Sequence, residues 1–387
     1  MNLYEASNQW STRPEDQRFW NLQELLEATR QHKESAREAT VVINSLKLQT
    51  VGNDGADLEL VGKTGTAARL TNWSFGQLSR MSGAPADYLR SLPASLVANN
   101  LNYGLQRLDG SGNLLLHKNG SLVARSLTSD KYSRIWNCDV VEKLMGFEEY
   151  GWRVPPARSV RRNQNGVRFA TEADVLDNRD FGLSVRVGDL IAPAGLYASD
   201  HDTFVFMVNE KNRLYDGTQG GLSRGFFLTN SEVGAAALKI TTFLYRGVCG
   251  NHICYNVENV NQLKIVHRGK ANLRFNQELS VELVRYVEGS ASKDEDKIRM
   301  AMNFSLGNNK EEVLDALFKN LRGDLPRKVI EAGYDQAEGD SDTDTTIDPR
   351  TVWGMVQGLS AHSQTIPYAD ERVKIDKAGG KILTMAF

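Results

Sequence analysis

Leu114-Leu115-Leu116-His117-Lys118-Asn119-Gly120-Ser121-Leu122-Val123-Ala124-Arg125-Ser126-Leu127 is the stretch on which the reading of the fold turns. Two apolar runs flank Asn119-Gly120, a dipeptide that reaches positive φ at little cost and closes a tight turn twisted to suit paired strands. A β-hairpin is predicted here. Beyond it, alternating apolar and polar residues return over 183–191, 204–208, 225–229 and 237–248, which places a sheet in the middle of the chain.

On the N-terminal side, Phe19, Leu22, Leu25 and Leu26 recur at helical spacing, and Val42, Asn44, Leu46 and Leu48 then mark a strand over 39–51. Turn residues crowd 52–65. Gly62-Lys63-Thr64-Gly65 reads as a hairpin turn, because a phosphate loop needs another glycine at the required offset and a helix opening at the threonine. Helical spacing resumes over 71–106 with a break at Gly83-Ala84-Pro85. That helical hairpin has the layout of a helix-turn-helix, yet Arg90 is the only base on its second helix and Asp87 sits beside it.

On the C-terminal side, helices are predicted over 137–150, 276–288, 294–304, 310–321 and 350–362, while the acidic, Ser/Thr-rich 335–349 reads as a solvated loop. The expected class is α+β: a central, mostly antiparallel sheet with helices at both ends. Three regions follow: 1–108, an N-terminal α/β region with a helical hairpin; 109–275, a central β-rich domain; 276–387, a C-terminal helical region with an acidic loop.

The chain has 387 residues, 41% hydrophobic and 24% charged, a composition that folds and exceeds one compact core. No run approaches the roughly 20 apolar residues of a membrane span. Glu5, Glu15 and Asp16 interrupt any leader, and three cysteines make no disulfide framework, so a cytoplasmic location is expected. Net charge is −2, from 46 Lys+Arg against 48 Asp+Glu, which excludes the global footprint of a dedicated duplex binder. Any nucleic-acid surface must be local.

Two segments are locally basic. Arg153, Arg158, Arg161, Arg162 and Arg168 fall within 151–170 without an acidic residue, and Lys264, His267, Arg268, Lys270 and Arg274 do so within 261–275. Trp152, Phe169, Tyr255 and Phe275 flank them and are candidates for base stacking. Arg125 and Lys131, with the hydroxyls of 126–129, are candidates for clamping a phosphate. The competing reading makes the charges solvated faces, the aromatics core residues, and Arg125 the partner of Asp130 at a strand end.

Metal chemistry finds little footing. Cys249, His252 and Cys254 lack a fourth ligand and the usual thiol spacing, and neighbours among Asp200-His201-Asp202 would point to opposite faces of a strand. No metal, cofactor or catalytic residue is expected, and the cysteines read as structural.

Ala124-Arg125-Ser126-Leu127-Thr128-Ser129-Asp130-Lys131-Tyr132, Thr229-Asn230-Ser231-Glu232-Val233-Gly234 with Tyr245-Arg246-Gly247-Val248-Cys249-Gly250-Asn251, and Gly380-Lys381-Ile382-Leu383 together resemble a phage- and plasmid-borne family. It is labelled only as a domain of unknown function, number 932. The pattern takes in Trp73-Ser74-Phe75-Gly76 and covers the chain from about residue 70; His252 departs from it, where the family more often has an apolar residue. The resemblance implies a mobile genetic element and raises the weight of nucleic acid. The expectation is a non-catalytic nucleic-acid-binding protein, acting on single-stranded DNA in recombination or replication. By analogy with phage strand-annealing proteins, it would be a homo-oligomer. Two alternatives stand beside it: a counter-defence protein that binds a host protein, and a nucleotide or small-molecule enzyme built around Arg125, Ser231 and Glu232.

Overall fold

The computed structural model describes residues 15–387 apart from 53–56, 64, 160–166, 181–184, 194, 216–220, 247–250, 254–262, 289–290, 342–346 and 366–368. Helix α1 (Leu22–Glu34) opens the fold, started by the Asn21 side chain, which accepts the otherwise unpaired Glu24 N–H at 2.8 Å. Six strands follow in one sheet: β1 (Ala36–Val42), β2 (Lys47–Val51), β3 (Asp57–Val61), β4 (Ala67–Leu70), β5 (Ser111–Asn119) and β6 (Ser121–Ser129), in the order β1-β5-β6-β4-β3-β2. The predicted hairpin is β5–β6, turning at Gly120 with φ 69°. Because β6 pairs in parallel with β4, the sheet is mixed, and it runs across residue 108 to take in the hairpin. The single strand expected over 39–51 is broken by a 3-10 turn at Ile43–Ser45, and its halves form the two opposite edges of the sheet.

One face of this sheet, with Leu48, Leu60, Leu114 and Leu127, packs under α2 (Asn72–Met81) and α4 (Ala94–Leu105). Asn102 of α4 accepts the Leu48 N–H at 2.7 Å and donates to its carbonyl at 2.9 Å, which covers edge strand β2 at one residue. Between them α3 (Ala86–Arg90) has only five residues, and its Arg90 is bonded to Asp87 and Asn72, so the helix-turn-helix layout lacks a reading helix.

The second sheet has seven strands, all antiparallel. β11 (Leu196–Ala198), β12 (Thr203–Leu214), β13 (Leu222–Asn230), β14 (Leu238–Arg246) and β15 (Asn251–Ile253) lie in order, with β7 (Trp152–Arg153) on β12 and β16 (Lys264–Ile265) on β14. Strand alternation sends Val205, Met207, Phe226 and Leu228 toward α1, α5 (Asn137–Met145) and α7 (Ala271–Glu288). Tyr197, Phe204, Phe206 and Phe227 stack on the other face with ring centroids 4.9 to 5.3 Å apart. A small third sheet, β8 (Arg158–Ser159), β10 (Leu190–Ala192) and β9 (Arg168–Phe169), accompanies α6 (Glu172–Asp180).

Helices α8 (Ala291–Asn303), α9 (Lys310–Asn320), α10 (Arg327–Ser341), α11 (Val352–Thr365) and α12 (Ala369–Leu383) close the chain around a core that includes Leu317, Tyr334, Trp353 and Leu359. The acidic loop expected from 335 is helical as far as 341. Ile330, Gly333, Tyr334 and Ala337 form a buried stripe at helical spacing, which offsets the solvation of the acids on the other side. The fold is α+β with helices at both ends, as the alternation and helical periodicities predict. No helix among the described residues is long and apolar enough to cross a membrane.

Candidate nucleic-acid interface

Arg125 is the extra residue of a β-bulge: the β5–β6 register shifts so that Leu115 faces Ser126 and Leu116 faces Ala124. The bulge turns its guanidinium inward. Arg125 is 4% exposed and donates to Glu232 Oε1 at 2.6 Å and to the Asp200 carbonyl at 3.1 Å, so its partner is Glu232, not Asp130. Glu232, 1% exposed, also takes the Asn137 N–H on Oε2 at 3.2 Å, while its carbonyl accepts from Arg134, which reaches on to Glu38 at 2.7 Å. The turn after β13 is held throughout: Tyr132 Oη donates to the Ser231 carbonyl at 2.8 Å, and Trp73 Nε1 and Gln77 Nε2 both donate to the Val233 carbonyl at 3.0 Å. Gly234 has φ 88°, where a Cβ would lie 3.3 Å from Thr128, so the turn fits against β6 only as glycine.

Residues of 125–132 and 231–234 therefore meet in one buried polar junction between the sheets. Arg125 is removed from the phosphate-binding set, because a guanidinium engaged by a carboxylate beneath the surface reaches no backbone. Ser231 and Glu232 are equally committed: the Ser231 hydroxyl donates to the His201 carbonyl and accepts the Ala235 N–H. Histidines beside the junction stay neutral. Burial, then the Arg125 charge, pushes His32 down to about 4, and burial, then Arg134, does the same to His267.

The arginine segment is partly neutralised by a helix that begins just beyond it. Arg153 pairs with Asp177 at 2.7 Å, and Arg168 grips Asp174 through two bonds of 2.6 and 2.7 Å while lying 4.4 Å over the Trp20 ring. The Arg168 bonds hold the Asp174 carboxyl well below the usual carboxylate range. Arg158 lies on β8 and only its backbone is described; Arg161, Arg162 and Tyr255 lie outside the described residues. Trp152 is 1% exposed, its ring 4.8 Å from Phe226, which makes it a core residue and no stacking platform. Phe275 is likewise buried, whereas Phe169 is 68% exposed.

The other basic segment presents its charge outward. Leu263, Ile265 and His267 are buried while Lys264, Val266 and Arg268 are exposed; β16 covers 264–265, and the chain then turns, with the Arg268 N–H on the Val266 carbonyl at 2.7 Å. A backbone bridge pairs Arg268 with Tyr132, and the Ser133 N–H donates to the His267 carbonyl at 3.0 Å, which brings Lys131 beside the Arg268 end. Lys270 follows before α7. Across the sheet Lys264 pairs in register with Lys239. Lys131, Lys264, Arg268 and Lys270 are all exposed and have no acidic partner among the described residues; Arg274 is paired with Glu278 at 2.7 and 2.9 Å. Tyr132 stacks on His267 with centroids 5.2 Å apart, so it supports this edge from below.

Asp200, His201 and Asp202 form the polar turn between β11 and β12, tied by the Ser199 N–H to the Asp202 carbonyl at 2.8 Å. Among the described residues no three His, Cys, Asp or Glu side chains gather to hold a metal. Cys138 is buried, its thiol pushed up to about 12 by burial; Cys249 and Cys254 lie outside the described residues. Sequence reasoning missed Arg134 and Glu38 at the junction and the Lys131–Arg268 approach, since no local pattern signals contact between residues so far apart. In comparison with known proteins, the chain matches no family model, no curated protein and no solved structure.

Proposed function

We propose that the protein binds nucleic acid without acting on it chemically, through Lys131, Lys264, Arg268 and Lys270. The observation that carries this reading is the group of exposed cations, without acidic partners among the described residues, where the 264–270 segment meets the turn after β6, in a chain whose net charge is −2. Lys264 lies on edge strand β16, and Arg268 and Lys270 follow a tight turn closed by the Arg268 N–H on the Val266 carbonyl at 2.7 Å, which sets the cations along one short segment. A narrow group of cations suits one phosphate backbone, so single-stranded DNA is the ligand, in keeping with the recombination or replication setting that the resemblance implies. Contacts of this type position a strand and carry no base preference.

Fluorescence anisotropy with a labelled oligothymidine at several salt concentrations tests the assignment. Changing the four cations to alanine together should flatten the slope of log affinity against log salt by up to about 2.8, at roughly 0.7 for each phosphate contact on a single strand. Stability should barely change, because exposed charges contribute little to folding. An unchanged slope removes these residues from the site, and no binding by the parent protein at low salt ends the nucleic-acid reading.

A further inference from the structure

The face of the six-stranded sheet that α2 and α4 cover is not filled to its far side. A cavity of about 340 Å³ lies there, between β1 with the Ile43–Ser45 turn, the β3–β4 hairpin and β5. Val41, Leu60, Leu114 and Leu116 wall it, and Lys63 is the one charged residue among the described residues of its lining. Lys63 sits on the Gly62-Lys63-Thr64-Gly65 turn, closed by the Gly62 N–H on the Thr66 carbonyl at 3.1 Å, and has no acidic partner among the described residues.

These features select a ligand class. The volume is at the lower end of the roughly 300–1,000 Å³ typical of small-molecule pockets. Among the described residues no aromatic side chain lines the cavity to stack a base or ring, and one ammonium cannot neutralise a polyphosphate. Aliphatic walls ending at a single cation match an aliphatic chain ending in a single negative charge. We propose that this cavity binds a medium-chain aliphatic carboxylate, its chain against Val41, Leu60, Leu114 and Leu116 and its carboxylate on Lys63. The site is separate from the cationic edge and independent of the nucleic-acid reading.

Isothermal titration of the full chain with decanoate at neutral pH tests it. Saturable one-to-one binding is expected, weakened roughly tenfold by Lys63→Met, the loss of one charge-assisted bond. Decanol should bind the parent protein as weakly as decanoate binds that variant. Ala39→Leu, which adds bulk to the wall at a half-buried position, should abolish binding while leaving the far-ultraviolet circular dichroism unchanged. Absence of saturable decanoate binding overturns the proposal. Equal affinities for decanol and decanoate overturn it as well, as does decanoate affinity that stays within twofold of the parent in both variants.

Discussion

Replacing Glu232 by glutamine probes the junction with almost no change of shape. The carboxylate takes a donor on each oxygen, Arg125 Nη1 at 2.6 Å and the Asn137 N–H at 3.2 Å, whereas an amide offers one oxygen and turns its NH2 against the other donor. With its oxygen on Arg125, the amide would set its NH2 against the Asn137 N–H, and Arg125, 4% exposed, would keep its charge without a carboxylate to balance it. Removing one partner of a buried pair costs about 3–5 kcal/mol, a large part of the ~5–15 kcal/mol that holds a typical protein folded. Replacing both, Arg125→Met with Glu232→Leu, removes the uncompensated charge, so the double variant should lose less than the sum of its singles, with a coupling of about 2–3 kcal/mol. Urea denaturation followed by tryptophan fluorescence reads all four corners of the cycle. A loss below about 1 kcal/mol in Glu232→Gln would refute the structural role of the pair and return Glu232 to the set of functional carboxylates.

Two further outcomes follow from the geometry. His267 is held neutral, its pKa brought from 6.5 to about 4, so the unfolded chain binds a proton that the folded one refuses; stability is full above pH 6.5 and falls as pH drops toward 4, by about 3 kcal/mol from this residue at 1.36 kcal/mol per unit. Denaturation midpoints between pH 7 and 4.5 should show that slope, and His267→Gln should flatten it; an equal slope in the variant assigns it elsewhere. In the helical region, a Cβ on Gly358 would overlap the Gly333 carbonyl oxygen and lie 2.7 Å from Ala337 Cβ, so Gly358→Ala should lower the melting temperature by several degrees. Gly339→Ala on α10 meets nothing within 4 Å and should instead gain roughly 0.5–1 kcal/mol of helix propensity, which a matched thermal melt will tell apart.

Local signals were legible where local forces decide. Asn119-Gly120 closes β5–β6 because the turn needs positive φ there, and α9 begins where Asn309 accepts the Glu312 N–H. Pairing across distance was not legible: nothing in 39–51 says that its halves part to opposite edges, since each strand's partner lies in 57–61 or 111–119. The acidic composition of 335–341 concealed a helix whose buried stripe uses Gly333 and Ala337, small residues that carry little hydrophobic weight but let α11 approach.

The candidate site shows the same division from the side of charge. An acid-free window from 151 to 170 suggested five available arginines, but it closed two residues before Glu172, and α6 supplies Asp174 and Asp177 to Arg168 and Arg153. Arginine suits such sites, since its planar fork pairs with carboxylates and lies over rings, as Arg168 does over Trp20. Counting basic residues in sequence therefore overstates the arginines, which the fold consumes internally at Arg125, Arg134, Arg153 and Arg168. Three of the four cations of the proposed edge are lysines, the side chain that stays hydrated at an edge and meets a phosphate as a point charge. A nucleic-acid surface in a chain of balanced charge is better sought among the cations that folding leaves unpaired than where positive charge is densest in the sequence.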